Sequence, residues 1–113
     1  MIPREKGTLS VVMPAYNESA TISMVIERVL QQPEVGELIV VDDASGDSTA
    51  EAATAMATQD HRVRVLRHAK NAGKGAALRT GIAAATLPYL IIQDADLEYN
   101  PVSYTHLTLP TKA

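Results

Sequence analysis

The sequence predicts an α/β fold in which a mostly parallel sheet is covered by helices on both faces. Short apolar runs alternate with helix-like segments, and each pair of successive runs is separated by enough chain for one helical crossover. Continuous apolar runs are typical of strands buried on both faces. A chain of 113 residues, 46% hydrophobic and 20% charged, has the size and composition of one small globular domain.

The first half of the chain predicts two strands and one helix. Residues 9–13 form an apolar run that Pro14 stops, as in a buried strand. The apolar positions of residues 22–30 recur with the period of a helix. Residues 38–41 form the second apolar run, and residues 42–46 then have the composition of a turn.

The second half repeats this alternation. Ser48 and Glu51 have the spacing of a capping box, which predicts the start of a second helix. Residues 63–66 predict a third, less fully covered strand, and residues 89–92 a fourth. An Ala-rich third helix lies between these strands. Its predicted buried side consists of Ala77, Leu78, Gly81, Ile82 and Ala85.

The composition argues against several classes of protein. Without cysteine the chain has no disulfide, thiolate nucleophile or Cys-ligated zinc. A net charge of −3 gives no basic footprint for nucleic acid. No membrane helix or secretory signal is visible, which predicts a cytoplasmic protein; an anchor outside this sequence would place the full-length protein at the cytoplasmic face of a membrane. His61, His68 and His106 share no metal-ligand spacing and are predicted to be surface residues.

Polar residues follow all four predicted strands. The carboxyl ends of parallel strands meet at one edge of a sheet, where ligands bind in a crevice, so these residues are predicted to lie together. They are Pro14 to Glu18, Asp42 and Asp43, residues 71–75, and Asp94 and Asp96.

Asp94 and Asp96 are the most specific chemical feature. If the fourth strand stays extended past Ile92, residues two apart point the same way with Cα atoms about 6.6 Å apart, so both carboxylates reach one cation. Hard oxygen ligands favour Mg²⁺ or Mn²⁺ shared with substrate phosphates. Like charges about 4 Å apart repel by about 4 kcal/mol at an effective dielectric near 20, a cost that a cation relieves. The alternative is a solvated acidic turn.

Each of the other polar strand ends has two interpretations. Asp42 and Asp43 either accept hydrogen bonds from a nucleobase or ribose, or only shape a turn. Lys74 and the backbone amides around it either offset phosphate charge, or only begin a helix; the segment is not a P-loop. Glu18 is either a site residue or a carboxylate favoured by the helix dipole.

Four segments resemble, in the right order, the family 2 glycosyltransferases of the GT-A fold. They are LSVVMPAYNE at 9–18, LIVVDDASGDST at 38–49, NAGKG at 71–75 and QDADLEY at 93–99. Within that family they look like the dolichol- and undecaprenyl-phosphate mannosyl- or glucosyltransferases. The resemblance implies the Rossmann-like, nucleotide-sugar-binding half of a GT-A domain over residues 8–101, truncated after the fourth strand, with residues 1–7 as an extension.

The resemblance also implies site residues. Asp94 and Asp96 would be the DXD pair that binds Mg²⁺ or Mn²⁺, with Asp96 the direct ligand and catalytic residue. Lys74 would lie near the diphosphate. The other implied donor-binding residues are Pro14, Ala15, Tyr16, Glu18, Asp42, Asp43 and Gln93.

The implied activity is metal-dependent, inverting transfer of a sugar from GDP-mannose or a UDP-sugar to a polyprenyl (dolichyl or undecaprenyl) phosphate. Family members continue well past the Asp-x-Asp strand, so this chain is expected to bind the donor without transferring the sugar. The Thr-rich residues 102–113 are expected to be a non-native tail, and the alternative is a genuine short C-terminal segment. Two other interpretations stay open: a phospho-acceptor domain, because residues 40–43 resemble the acidic strand end of receivers, and a non-catalytic nucleotide-binding module.

Overall fold

The computed structural model describes residues 5–96 and 109–110 and confirms the predicted alternation. The elements are β1 (Leu9–Ala15), α1 (Ile22–Leu30), β2 (Val35–Asp42), α2 (Thr49–Gln59), β3 (Val63–Arg67), α3 (Lys74–Ala84), β4 (Tyr89–Ile92) and β5 (Leu109–Pro110). Within these residues no helix is long and apolar enough to cross a lipid bilayer.

The sheet has the order β3-β2-β1-β4-β5. Strands β1 to β4 are parallel, and β5, from the segment expected to be a non-native tail, pairs antiparallel with β4. The chain runs outward from β1 to β3 and then crosses back to β4 on the other side of β1. The junction of β1 and β4 is therefore the topological switch point, where doubly wound sheets bind ligands.

This strand order also bears on the phospho-acceptor interpretation. Receiver domains have the order 2-1-3-4-5, in which the third strand lies beside the first. Here β3 lies at the edge beyond β2, and β4 takes the place beside β1. The interpretation as a receiver is therefore wrong.

Helices cover both faces of the sheet, as predicted. Along β1, Val11 and Met13 belong to the core on the face of α1 and α2, whereas Val12 belongs to the core beneath α3. This alternation follows from the two-residue repeat of a strand. The central strands β1 and β2 are almost wholly buried, which gives the carboxyl edge of the sheet a rigid base.

Two local predictions are wrong, and a third is confirmed only in part. Pro14 does not stop β1, which continues to Ala15. The sheet tolerates this proline because β4 pairs with β1 only as far as Val12, so β1 has no hydrogen-bonded partner on the β4 side at Pro14. Ser48 is the N-cap of α2, which confirms the predicted start of this helix, but its side chain makes no capping hydrogen bond; the adjacent Asp47 carboxylate accepts a hydrogen bond from the Thr49 amide. Ile82 is 40% exposed and does not belong to the buried side of α3.

Candidate functional site

A cleft of about 420 Å³ opens at the carboxyl edge of the sheet. It lies at the switch point, and residues that follow all four parallel strands line it. The lining residues are Pro14, Ala15, Tyr16, Glu18, Asp43, Asn71, Gly73, Lys74, Ala77, Asp94, Ala95 and Asp96.

Most of the predicted site residues meet in this cleft. Those that line it are Pro14, Ala15, Tyr16, Glu18, Asp43, Lys74, Asp94 and Asp96. Asp42 and Gln93 were expected there as well but do not line it. Asn71 and Gly73 come from the predicted Gly/Lys loop, while Ala77 and Ala95 lack any chemical signal in the sequence that would single them out.

Asp42 is fully buried and shapes the turn after β2. Its carboxylate accepts hydrogen bonds from the hydroxyl and the amide of Ser45 and lies 3.3 Å from the Arg67 Nε. Successive side chains at a strand end point to opposite sides, so Asp42 faces away when Asp43 faces the cleft. The expectation that Asp42 accompanies Asp43 in the pocket is thereby corrected.

Gln93 is buried and does not line the cleft either. Its side-chain Nε2 donates to the carbonyl oxygen of Asp94 at 3.2 Å. In the part of the chain that the structure describes, its Oε1 is a buried side-chain oxygen that accepts no hydrogen bond. Gln93 thus contacts the acidic segment through the backbone of Asp94.

The loop after β1 is fastened to the loop after β2. The Asn17 amide donates to Ser45 Oγ at 2.9 Å, and the Glu18 amide donates to Thr49 Oγ1 at 2.8 Å. Asn17 adopts a left-handed conformation (φ 53°), which asparagine tolerates better than most residues. These contacts hold Tyr16 and Glu18 at the mouth of the cleft.

Acidic groups gather on the β4 side of the cleft. Burial, and then the negative charge of Asp96 with a smaller contribution from Asp94, raises the pKa of Glu18 above its usual value. The Lys74 Nζ lies 2.8 Å from Asp94 Oδ1 and offsets part of this charge. β4 ends at Ile92, so Asp94 and Asp96 reach the cleft from a turn after the strand, not from the extended strand that was predicted.

The residues of this acidic edge fit a divalent cation shared with a ligand. Across residues 5–96 and 109–110, no three His, Asp or Glu side chains meet in a geometry that would hold a metal ion by themselves. The two carboxylates of Asp94 and Asp96 are hard oxygen donors beside an open cleft. Mg²⁺ is typically bound by one or two carboxylates and completed by substrate phosphates and water.

Asp43 is the buried anion on the opposite side of the cleft. Its side chain accepts hydrogen bonds from the amides of Ala72 and Gly73, at 2.9 and 2.8 Å, and from the His68 imidazole at 2.7 Å. Burial alone would raise the pKa of Asp43, but these hydrogen bonds outweigh it and hold the pKa below its usual value. Asp43 therefore anchors residues 71–73, the start of the loop into α3.

Sequence reasoning missed His68, which was predicted to be a surface residue. Its side chain is only 18% exposed and contacts both Asp43 and Thr80. His68 directly follows β3, whose carboxyl end lies at the same edge of the sheet as the cleft. That position is a signal that could have identified it.

The fold and the cleft define a class of protein, the α/β domains with a ligand-binding crevice at a switch point between parallel strands. Residues 10–108 match the sequence family described as glycosyl transferase family 2, and the chain belongs to this family. The matched range includes residues 102–108 of the expected tail.

Relatives and solved structures agree with this assignment. The chain is 38% identical over 89 residues to the glycosyltransferase GlyG of Streptococcus pneumoniae, covering 78% of this chain and 30% of that protein. It is 36% identical over 97 residues to the dolichol-phosphate mannosyltransferase of Saccharomyces cerevisiae, covering 81% of this chain and 36% of the relative. The chain thus spans about a third of the length of these relatives.

Two solved structures share the fold, which is GT-A. A mannosyltransferase from Pyrobaculum calidifontis, in complex with GDP-Man and Mn²⁺, aligns with a TM-score of 0.73 and 28% identity over 81% of this chain and 28% of its own. Glucosyl-3-phosphoglycerate synthase from Mycobacterium tuberculosis, in complex with Mn²⁺, UDP and glucosyl-3-phosphoglycerate, aligns with a TM-score of 0.65 and 37% identity over 79% of this chain and 33% of its own.

Proposed function

We propose that this domain binds a nucleotide-sugar with Mg²⁺ or Mn²⁺, and that the whole protein transfers the sugar, with inversion, to a polyprenyl phosphate at the cytoplasmic face of a membrane. The observation that carries this proposal is the meeting of Asp43, Lys74, Asp94 and Asp96 in one cleft at the switch point. Support for the donor comes from the GDP-Man and UDP complexes of the solved relatives, and for the acceptor from the dolichol-phosphate mannosyltransferase.

Asp94 and Asp96 are the proposed cation ligands. They lie beside Glu18, whose raised pKa reflects burial and the negative charge around it. Such a cluster favours binding of a positive ion, because the ion offsets the repulsion among the carboxylates. A divalent cation bound there would stabilise the negative charge on the nucleoside diphosphate as it leaves.

Lys74 and the start of α3 are the proposed partners of the diphosphate. α3 begins at Lys74, and its N-cap residue Gly73 has no side chain that could cap the first-turn amides, which leaves them available to an anion. The Lys74 ammonium lies at the same end of the helix and lines the cleft. Lysine and helix amides together offset the phosphate charge next to the cation.

The proposed position of the nucleoside is between Asp43 and the mouth of the cleft. Asp43 is an acceptor-only side chain that lines the pocket, suited to an N–H of the nucleobase or to a ribose hydroxyl. Tyr16 is 50% exposed at the pocket wall and offers an aromatic surface to a ligand. Pro14 and Ala15 complete this wall from the end of β1.

A polyprenyl phosphate arrives with an ionised oxygen as nucleophile, so this acceptor needs positioning more than a general base. The groups described above all serve the donor. We therefore expect the 113 residues alone to bind the donor and to transfer little or no sugar, while the whole protein transfers it.

Calorimetric titration of the chain with GDP and UDP tests the donor site. We expect binding in Mn²⁺ or Mg²⁺ and a large loss of affinity in EDTA. Asp94→Asn and Asp96→Asn should weaken metal-dependent binding by about tenfold or more, because each removes a charged ligand. Glu51→Gln is the matched control, an exposed carboxylate on α2 outside the cleft, and should bind as the unaltered chain does.

Two results would separate the remaining possibilities. A folded chain that binds neither nucleotide, with or without metal, contradicts the donor site. Full-length protein that binds nucleotide-sugar but transfers nothing to polyprenyl phosphate indicates a non-catalytic binding module.

A further inference from the structure

The His68 imidazole joins three elements of the fold. Nδ1 lies 2.7 Å from Asp43 Oδ1, at the end of β2, and Nε2 lies 2.8 Å from Thr80 Oγ1 on α3. The backbone amide of His68 donates to the carbonyl oxygen of Asp42 at 2.9 Å, which fixes the residue at the end of β3. The imidazole is therefore held at both ring nitrogens, and the backbone of the same residue is held at the end of β3.

The chemistry of these partners determines the proton arrangement. A carboxylate accepts hydrogen bonds but cannot donate, so Nδ1 carries the proton that is shared with Asp43. A threonine hydroxyl can both donate and accept, so in neutral imidazole it donates to Nε2. The contacts thus select the Nδ1–H tautomer of the neutral ring.

Asp43 passes this constraint on to the wall of the cleft. Its carboxylate also accepts hydrogen bonds from the backbone amides of Ala72 and Gly73, and its carbonyl oxygen accepts one from the Asn71 side-chain amide at 3.2 Å. Asn71 and Gly73 line the cleft, whereas His68 and Thr80 do not. Anything that fixes the Asp43 carboxylate therefore also fixes residues 71–73, which lead directly into Lys74 and α3.

We propose that His68 is a positioning residue of the donor cleft: supported by Thr80, it holds the Asp43 carboxylate and through it the wall formed by residues 71–73. His68 acts on the ligand only through Asp43. The part of this proposal that concerns nucleotide affinity rests on the proposed function; the part that concerns the wall does not.

Two measurements on the nucleotide-free protein test the wall. Nitrogen-15 NMR of the imidazole should show the Nδ1–H tautomer, and amide exchange of Ala72 and Gly73 should be slow. In His68→Leu both amides should exchange faster, and in His68→Asn, whose side-chain amide can replace the Nδ1–H donor, they should be protected again. An Nε2–H tautomer, or unchanged exchange in folded His68→Leu, overturns the proposal.

A double-mutant cycle tests the path to the ligand. His68→Leu should raise the Kd for GDP or UDP with Mn²⁺ by about tenfold, Thr80→Val by less, and His68→Asn should restore most of the affinity. In an Asp43→Asn background His68→Leu should have little further effect on the Kd, because the carboxylate that His68 holds is already lost. His61→Leu, at an exposed histidine, is the matched control.

Additive losses in the cycle would overturn the proposed path, because His68 would then act independently of Asp43. If the unaltered chain binds no nucleotide, the proposed function fails, and the tautomer and exchange measurements still decide whether His68 holds the wall. Circular dichroism of each variant tests whether it is folded.

Discussion

Asp42 and Asp43 are consecutive residues with the same side chain and different surroundings. The Asp42 carboxylate is bound by Ser45 and Arg67 within the turn after β2. The Asp43 carboxylate lies at the cleft and accepts hydrogen bonds from the backbone amides of residues 72 and 73. Next to them Ala44 has a left-handed conformation (φ 61°), which is uncommon for a residue with a Cβ.

This difference predicts a separation of stability from binding. Asp43→Asn should raise the Kd for GDP or UDP by about tenfold or more, because an amide cannot serve as a purely accepting group for two backbone amides and a ligand. Asp42→Asn should lower the melting temperature and leave the Kd nearly unchanged. Calorimetric titration and thermal unfolding of both variants measure the two effects.

Glu37→Gln is the control for a purely structural acid. Glu37 is buried at the start of the strands and binds Ser10, Thr86 and Arg64, far along the sheet from the cleft. The Glu37→Gln substitution should lower the stability of the fold without changing nucleotide affinity. Equal effects of the Asp42 and Asp43 variants on the Kd would contradict the assignment of their roles.

Helix α3 packs closely on the sheet because Gly81 has no side chain. A Cβ on Gly81 would lie 2.3 Å from Cγ1 of Val12 and 3.2 Å from Cγ2 of Val41. Gly75, in the first turn of the same helix, has only the end of the Arg79 side chain within 4 Å. Close packing of α3 sets the position of Lys74 relative to the strand ends.

Two glycine substitutions in α3 should therefore have different effects on stability. Gly81→Ala should lower the free energy of unfolding by about 1–3 kcal/mol, since overpacking outweighs the gain in helix propensity. Gly75→Ala should leave stability unchanged or raise it by up to about 1 kcal/mol, because alanine is the better helix former. Urea denaturation measures both; a stabilising Gly81→Ala would show that the helix has room to move.

The junction of α2 and β3 depends on Asp60. Its carboxylate binds the Arg62 guanidinium at 2.8 Å, and that guanidinium also donates to the carbonyl oxygens of Leu30 and Val35. Hydrogen bonds from Arg62 lower the pKa of Asp60 from 3.8 to about 2. The pair connects α2 and β3 to the end of α1 and the start of β2.

The lowered pKa predicts a pH dependence with a defined sign. A carboxyl whose pKa is lower in the folded state stabilises the fold above its unfolded pKa, and this stabilisation is lost as the pH falls through the folded value. The contribution of Asp60 should be complete above about pH 5 and disappear as the pH falls toward 2. Asp60→Asn should flatten the acid limb of the plot of unfolding free energy against pH; an unchanged acid limb contradicts the prediction.

At the scale of the whole molecule, the cleft joins residues that are far apart in the chain. Residues after β1, β2 and β4 and the loop into α3 each provide part of it. A ligand that contacts all of these segments binds the folded chain and not the unfolded one. Nucleotide binding should therefore stabilise the entire domain.

Thermal unfolding with and without ligand tests this linkage. At a nucleotide concentration about 100 times the Kd, the gain is about 2.7 kcal/mol. We expect the melting temperature to rise when GDP or UDP is present with Mn²⁺, and this rise to be abolished by EDTA. A similar rise in EDTA would show that the nucleotide binds without the cation.

Much of this architecture could be predicted from the sequence because it depends on local patterns. The period of the apolar residues identifies α1 and the buried strands, and the topology of parallel sheets places their polar ends together. These rules were sufficient to predict that Asp43, Lys74 and Asp96 share one cleft. They do not report which side of a strand end a particular residue faces.

The sequence by itself determined the alternation of strands and helices, the family, and the edge of the sheet at which the cleft forms. Only the tertiary structure decided that Asp42 is buried while Asp43 lines the cleft, and that His68 lies between Asp43 and Thr80. The physical reason is sequence distance: the partners of Asp43 lie 25 to 30 residues away, and contacts of that range exist only after the sheet has assembled. Periodicity and turn chemistry act over a few residues and leave such contacts undetermined.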